Sequence, residues 1–241
     1  MKKKRLTIGL IIADEMEYVP MRVYAEKHGG SRHDLFDREG HRLIIRRGEA
    51  AIRVESILCG IGMVNAAAAT AFMMNRNPDY IINTGLSGGI SGISRGEITL
   101  GSRFVEHDFD LRPLGRELGE KPDQSYVYAA DPTLTGHYQT LFPFMKQGCM
   151  VSGDCFVGDP ALRDFLKNKW DAMSCDMESA AAAYVCSLAG VGFAAVRRVS
   201  DDAGDDAPES YRQMNDKAES ALLELVFEGI YAMFDNEALW G

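Results

Sequence analysis

The sequence has no apolar run long enough to cross a bilayer, so no membrane span is expected. It also lacks an excess of positive charge. With 26 Lys and Arg against 35 Asp and Glu, the formal net charge is −9. Nucleic acid and anionic membrane surfaces are therefore not expected as partners. Cysteine is sparse, and Cys59, Cys149, Cys155, Cys175 and Cys186 form an odd, scattered set. They show neither a disulfide framework nor zinc-ligand spacing, which fits reduced thiols in a cytoplasmic protein. The Met1-Lys2-Lys3-Lys4-Arg5 start carries the charge of a secretion signal. The apolar run from Leu6 to Ala13, however, passes straight into Asp14-Glu15-Met16-Glu17 without a small-residue cleavage site, so export is not expected. No repeat, linker or low-complexity tract divides the chain. Its 241 residues, 46% of them hydrophobic, suit one α/β domain over 1–241.

What is present is an alternation of apolar strands and helices. Arg5 to Ala13 reads as a buried strand, and Glu15 to His28 as a helix stopped by Gly29-Gly30. Arg42 to Arg47 and Ala51 to Cys59 read as paired strands around a turn at Gly48. Gly60-Ile61-Gly62 leads into a helix from Met63 to Asn75. Tyr80 to Thr84 reads as a strand stopped by Gly85-Leu86-Ser87-Gly88-Gly89. Further strands are expected over Leu100 to His107, Gly148 to Ser152, Ala172 to Cys175 and Val191 to Val199. Helices are expected over Pro132 to Leu141, Pro160 to Lys169 and Ser210 to Phe234, while 108–125 is polar and irregular. This order predicts a three-layer α/β sandwich around a mixed, largely parallel central sheet.

Two acidic stretches stand out. Cys175-Asp176-Met177-Glu178-Ser179-Ala180 opens a small-residue helix, and Ser200-Asp201-Asp202 ends the strand from Val191. Acids favour the first turn of any helix because they meet its positive end. A ligand reading gains weight because open α/β sheets bind at the carboxyl ends of their strands. Glu17, just past the first strand, belongs with Glu178 and Asp201 on that reading. Gly60-Ile61-Gly62 follows a strand, yet Asn65 occupies the third glycine position of a dinucleotide fingerprint and no acid ends the next strand. Nor does Gly-Lys-Ser/Thr follow the glycines after Asn83-Thr84, so neither a nicotinamide site nor a P-loop is expected.

Five stretches, in order and at about the right spacing, resemble the nucleoside phosphorylase superfamily. They are Ile8-Gly9 through Glu17, Cys59-Gly60-Ile61-Gly62, Asn83-Thr84-Gly85 through Gly89, and Val151-Ser152-Gly153-Asp154 with Phe156. The fifth is Asp176-Met177-Glu178-Ser179-Ala180 with Val199-Ser200-Asp201. The branch most similar is that of the bacterial 5'-methylthioadenosine/S-adenosylhomocysteine nucleosidases. The resemblance implies that water cleaves the N-glycosidic bond of an adenine nucleoside, with no cofactor and no metal. Asp201 matches the acid that protonates the leaving base, and a donor carboxyl needs a raised pKa. Glu17 matches the residue that activates water and must stay ionised. Glu178 matches the acceptor of the ribose hydroxyls, a task suited to a two-oxygen acceptor.

By the same resemblance, Met177 packs on the sugar, Phe156 stacks on adenine, the Val157 backbone reads the base edge, and Ser200 holds Asp201. Ile61, Ser87, Gly88, Asp176 and the lid residue Tyr211 complete the expected lining. His107-Asp108-Phe109-Asp110 resembles a dimer-side loop, and Leu111 and Leu114 match positions that cover a partner's pocket in a homodimer. Purine phosphorylases of the superfamily carry Gly-Asp-Pro after the first strand and phosphate-binding arginines. Here that turn reads Ala13-Asp14-Glu15-Met16-Glu17, which favours water, although Arg22 lies nearby. A phosphorylase and a non-catalytic nucleoside binder remain the rival readings. Asp14, Arg198 and Leu86 depart from the nucleosidase pattern and leave the 5' substituent open. Asp14 either is neutralised by Arg198, meets a cationic or hydroxyl group on the substrate, or caps the following helix.

Overall fold

The computed structural model describes residues 4–213 and 216–240. Its elements in chain order begin with β1 (Arg5–Ile12), α1 (Glu15–Lys27), β2 (Ser31–Arg32), β3 (Gly40–Arg47), β4 (Ala50–Leu58) and α2 (Met63–Met73). Next come β5 (Tyr80–Gly89), β6 (Ile98–Glu106), β7 (Val127–Ala129), α3 (Pro132–Leu141), β8 (Lys146–Ser152) and α4 (Pro160–Trp170). The last are β9 (Ala172–Asp176), α5 (Ser179–Ala189), β10 (Gly192–Asp201), α6 (Ala207–Arg212) and α7 (Asp216–Ala232).

The layering follows from strands that are apolar on both faces. In β1, Leu6, Ile8, Leu10 and Ile12 join one core cluster, while Ile11 joins the other. On the first face, α1, α3 and α7 pack with Tyr18, Met21, Leu134, Tyr138 and Phe227. On the opposite face lie α2 and α5, whose small residues (Ala66, Ala69, Ala180, Ala182, Ala183) let the two helices approach the sheet and each other. The three layers agree with the expectation. Among the described residues no helix is long and apolar enough to cross a membrane.

The sheet is mixed. β4, β1, β5 and β10 run parallel in that order, with β3 antiparallel on the outer edge of β4. β10 then pairs antiparallel with β6, β6 runs parallel with β8, and β8 with β9. β9 returns antiparallel to the far end of β5, at Gly88 and Gly89. Five strands thus close into a ring, and the first four remain an open wing. A closed ring has no free edge. This closure is a feature that the alternation of elements does not reveal.

Two element boundaries differ from the sequence expectation. The glycine-rich stretch after Thr84 is not a turn. β5 runs on through Gly89 because β10 flanks it as far as Gly88 and β9 takes over at its end. The final helix is divided into α6 and α7, and 214–215 within the expected span lie outside the described residues. The carboxyl ends of β1, β5, β9 and β10 meet in one region, together with the starts of α1, α2 and α5.

Candidate active site

A cavity of about 380 Å³ opens where those strand ends converge. Glu17 enters it from the first turn of α1. Asp14 is the N-cap of this helix. Its Oδ1 accepts the Met16 N–H at 2.7 Å, and Glu17 Oε2 accepts the Asp14 N–H at 3.2 Å, a reciprocal capping box. Glu17 Oε1 accepts the Leu86 N–H at 2.7 Å, which ties the helix to the exit of β5. Gly85 makes this possible. Its φ is +153°, and a Cβ there would stand 2.6 Å from Glu17 Oε2. Only glycine leaves room for the carboxylate.

Asp14 therefore caps its helix, as one of its three expected readings held, while also bordering the cavity. Arg198 does not neutralise it. Arg198 lies along a separate surface groove with Glu97, Phe144 and Leu225. Its neighbour Arg197 points into the site, because successive strand residues face opposite ways.

Arg197 is 1% exposed and joins two of the pocket's acids. Nε lies 3.0 Å from Asp176 Oδ2, and Nη2 lies 3.0 Å from Glu178 Oε2. Nη1 donates to the Leu86 carbonyl at 2.7 Å, and Nη2 also donates to Asn83 Oδ1. Asp176 Oδ1 accepts from Ser152 Oγ at 2.6 Å and from the N–H groups of Glu178 and Ser179 at 2.9 Å, and Ser179 Oγ donates to Oδ2. Burial alone would push Asp176 up, but Arg197 and these donors outweigh it and hold its carboxyl below the usual range. Asp176 thus borders the cavity with both oxygens engaged by protein donors. Glu178 differs. Among the described residues its Oε1 accepts only the Gly62 N–H, at 2.9 Å. Burial pushes it above the usual range, while Arg197 and Gly62 favour its charged form.

Asp201 ends β10. Ser200 Oγ donates to its Oδ2 at 2.7 Å, and the Ala203 N–H to its Oδ1 at 2.9 Å. Burial pushes its pKa up despite both donors. One pocket therefore holds two carboxyls that burial pushes up, Asp201 and Glu178, the second of them paired to a guanidinium, and a third, Glu17, that accepts from backbone N–H groups. Apolar walls complete it. The Phe156 and Tyr211 rings meet edge to face with centroids 5.9 Å apart. Val157 is buried, Ile61 and Phe156 are about half exposed, and Met177 lies beside Glu178. Ser87 and Gly88 line the cavity, and among the described residues the buried Ser87 hydroxyl has no hydrogen-bond partner. Among the described residues no group of His, Cys, Asp and Glu is placed to hold a metal ion.

Residues 7–230 match the model of the Phosphorylase superfamily. The chain belongs to this superfamily. Its curated superfamily relatives include a 5'-methylthioadenosine/S-adenosylhomocysteine nucleosidase from Geobacillus sp. (strain WCH70), 37% identical over 69% of this chain and 75% of the relative. A protein of the same name from Staphylococcus carnosus (strain TM300) is 35% identical over 71% of this chain and 78% of its own. Among solved structures, the nucleosidase of that name from Neisseria meningitidis, in complex with methylthio-immucillin-A, superposes with a TM-score of 0.83. It is 27% identical, with 93% of this chain and 98% of that chain covered.

Twelve of the residues expected from the superfamily motifs line the cavity. Leu111 and Leu114 do not. They lie in or beside a short 3-10 turn, Arg112–Leu114, with Leu114 75% exposed, and reach no part of this chain's own pocket. Asn83 and Ser152 stand within the motif stretches but were given no role there, and Arg197 lies outside them. The available signal was alternation, since counting back by twos from Asp201 reaches Arg197 and skips Arg198.

Proposed function

We propose that this chain hydrolyses the N-glycosidic bond of an adenine nucleoside, releasing adenine and a 5-substituted ribose. The substrates are 5'-methylthioadenosine, S-adenosylhomocysteine or both. The relatives' names support that choice. The observation that carries the reading is the set of three carboxyl groups with different partners around one pocket. Bond cleavage builds positive charge on the ribose and negative charge on the base. Asp201, biased to its acid form, donates a proton to the leaving purine. Glu17, whose oxygens accept from Leu86 and Asp14, takes a proton from the attacking water. Glu178 accepts from the ribose hydroxyls, and its charge favours the oxocarbenium-like transition state. Phe156, set edge to face with Tyr211, offers aromatic surface for the base.

Water rather than phosphate fits the nucleophile end. Arg22 turns away from it, held by Glu39 at 2.6 Å and by Glu15 at 2.5 Å. Arg197 is already matched by Asp176 and Glu178. A phosphate dianion would meet the carboxylates of Glu17 and Asp14 there, and the lining holds one further guanidinium, that of Arg212 beside Tyr211. The decisive experiment incubates the protein with 5'-methylthioadenosine, S-adenosylhomocysteine and adenosine, with and without phosphate, and identifies the sugar. Free 5-substituted ribose at equal rates supports hydrolysis. Phosphate-dependent release of ribose 1-phosphate would make it a phosphorylase, and no turnover would leave a binding protein.

Three further readings accompany this one. The exposed Leu114 and the neighbouring Leu111 suit coverage of a second copy's pocket, so a homodimer is expected by light scattering at micromolar concentration, and a fully active monomer would contradict it. The free cysteines, Cys155 aside all buried, suit a reducing cytoplasm. The continuous sheet supports reading 1–241 as one nucleoside phosphorylase-like domain.

A further inference from the structure

The ribose carboxylate has a support that lies outside the pocket. The N-cap position of α2 is Gly62, which has φ +105° and no side chain with which to cap the helix. Two acids from other elements supply the missing acceptors. Glu178 Oε1 takes the Gly62 N–H at 2.9 Å, and Asp154 Oδ1 takes the Met63 N–H at 2.7 Å. The fit is close, because a Cβ on Gly62 would stand 3.0 Å from Asp154 Oδ1. Asp154 is held in turn. Its own N–H donates to Asp108 Oδ2 at 2.7 Å, and the neighbouring Gly153 N–H donates to the Asp176 carbonyl at 3.3 Å.

Asp154 lines no part of the cavity, yet it joins two of its walls. The turn that carries it continues into Phe156 and Val157. The helix start that it grips continues back into Ile61 and sets the direction of the Gly62 N–H. That N–H is the donor that fixes one oxygen of Glu178, and Arg197 fixes the other. We propose that Asp154 is a positioning residue. By holding the first turn of α2, it locks the Glu178 carboxylate in the orientation that meets the ribose diol, and it keeps the base wall in register with the sugar. This rests on the nucleosidase reading above. An ordinary helix cap would contribute only to stability. A cap whose helix start also donates to a substrate-binding carboxylate contributes to turnover as well.

The test compares 5'-methylthioadenosine with its 2'-deoxy analogue, in wild type, Asp154→Ala and Asp154→Asn. Wild type must first turn over 5'-methylthioadenosine; if it does not, the nucleosidase reading fails and not this one. Misplacing a binding group costs on the order of 10- to 100-fold, so Asp154→Ala is expected to lower kcat/KM by about that factor with 5'-methylthioadenosine. Because the loss acts through Glu178 on the diol, it should shrink markedly with the 2'-deoxy substrate. Asp154→Asn keeps an acceptor and should recover most of the activity. Should Asp154→Ala fail to fold, Asp154→Glu makes the same comparison, since it keeps the charge but misplaces the acceptor. Equal losses on both substrates, or full activity without an acceptor at this position, would overturn the proposal.

Discussion

Replacing Arg197 by Met is the sharpest test of how this site is held together. The side chain is fully buried and lies 3.0 Å from each of two buried carboxylates, Asp176 and Glu178. Met fills similar volume, so the cavity term is small. The cost comes from leaving two acids without their cation. Removing one partner of a buried ion pair costs about 3–5 kcal/mol. For a chain of this length that corresponds to a fall in melting temperature of roughly 6–20 °C. The effect should depend on pH. In the native protein the folded pKa of Asp176 is lowered, so its contribution is present above the ordinary carboxylate value and lost as pH falls through the lowered one. Glu178, whose pKa is raised, contributes the opposite way, and its part is lost as pH rises through the raised value. Without Arg197, burial dominates both acids and both pKa values rise. The variant should then be penalised most at pH 8 and least near pH 5, where both acids can take up protons. Urea unfolding of both proteins at the two pH values measures this. A difference below about 1 kcal/mol, typical of exposed pairs, or a difference independent of pH, would refute the reasoning.

Three other outcomes are expected. Asp201→Asn keeps the shape and the Ser200 contact but loses the proton, so adenine release should fall about 100- to 10,000-fold with binding retained. In wild type the raised pKa of Asp201 means that activity is lost as pH rises through that value, which a pH profile of kcat would show and Asp201→Asn would lack. Gly85→Ala places a methyl 2.6 Å from Glu17 Oε2, so it should abolish turnover while nucleoside binding, read by calorimetry, persists. Asp14→Asn preserves the cap of α1 and should melt like wild type, whereas Asp14→Met should lose about 0.5–2 kcal/mol. Asp14→Met should also shift preference towards 5'-methylthioadenosine over adenosine, and an unchanged ratio of catalytic efficiencies would exclude Asp14 from specificity.

The acids were legible in the sequence because each stands at a place where chain direction changes. Glu17 follows a strand, Glu178 precedes a helix and Asp201 ends a strand, so local pattern was enough to converge on one pocket. Arg197 was not legible in that way. An arginine within Ala194-Ala195-Val196-Arg197-Arg198-Val199 has two candidate faces, and only its partners Asp176, Glu178 and Asn83 decide between them. The glycine run from Gly85 misled for a related reason. Glycine weakens an isolated strand, but here the neighbours β9 and β10 supply the pairing that local propensity withholds. Ring closure and the clasp of Asp154 on α2 are likewise long-range facts, invisible to any window of the sequence.

The contacts that define the pocket join residues remote along the chain. Leu86 meets Glu17 across 69 positions, Gly62 meets Glu178 across 116, and Arg197 meets Leu86 across 111. Bringing such ends together costs chain entropy before any of them is rewarded. Thirteen of the twenty lining residues fall within 155–212, so these long-range contacts are what bring Glu17, Ile61 and Leu86 to that later segment. The pocket is complete only when the ends of β1, β5, β9 and β10 have found one another. Until then Glu17 lacks the Leu86 N–H, 69 positions away, that fixes its Oε1 in the folded pocket.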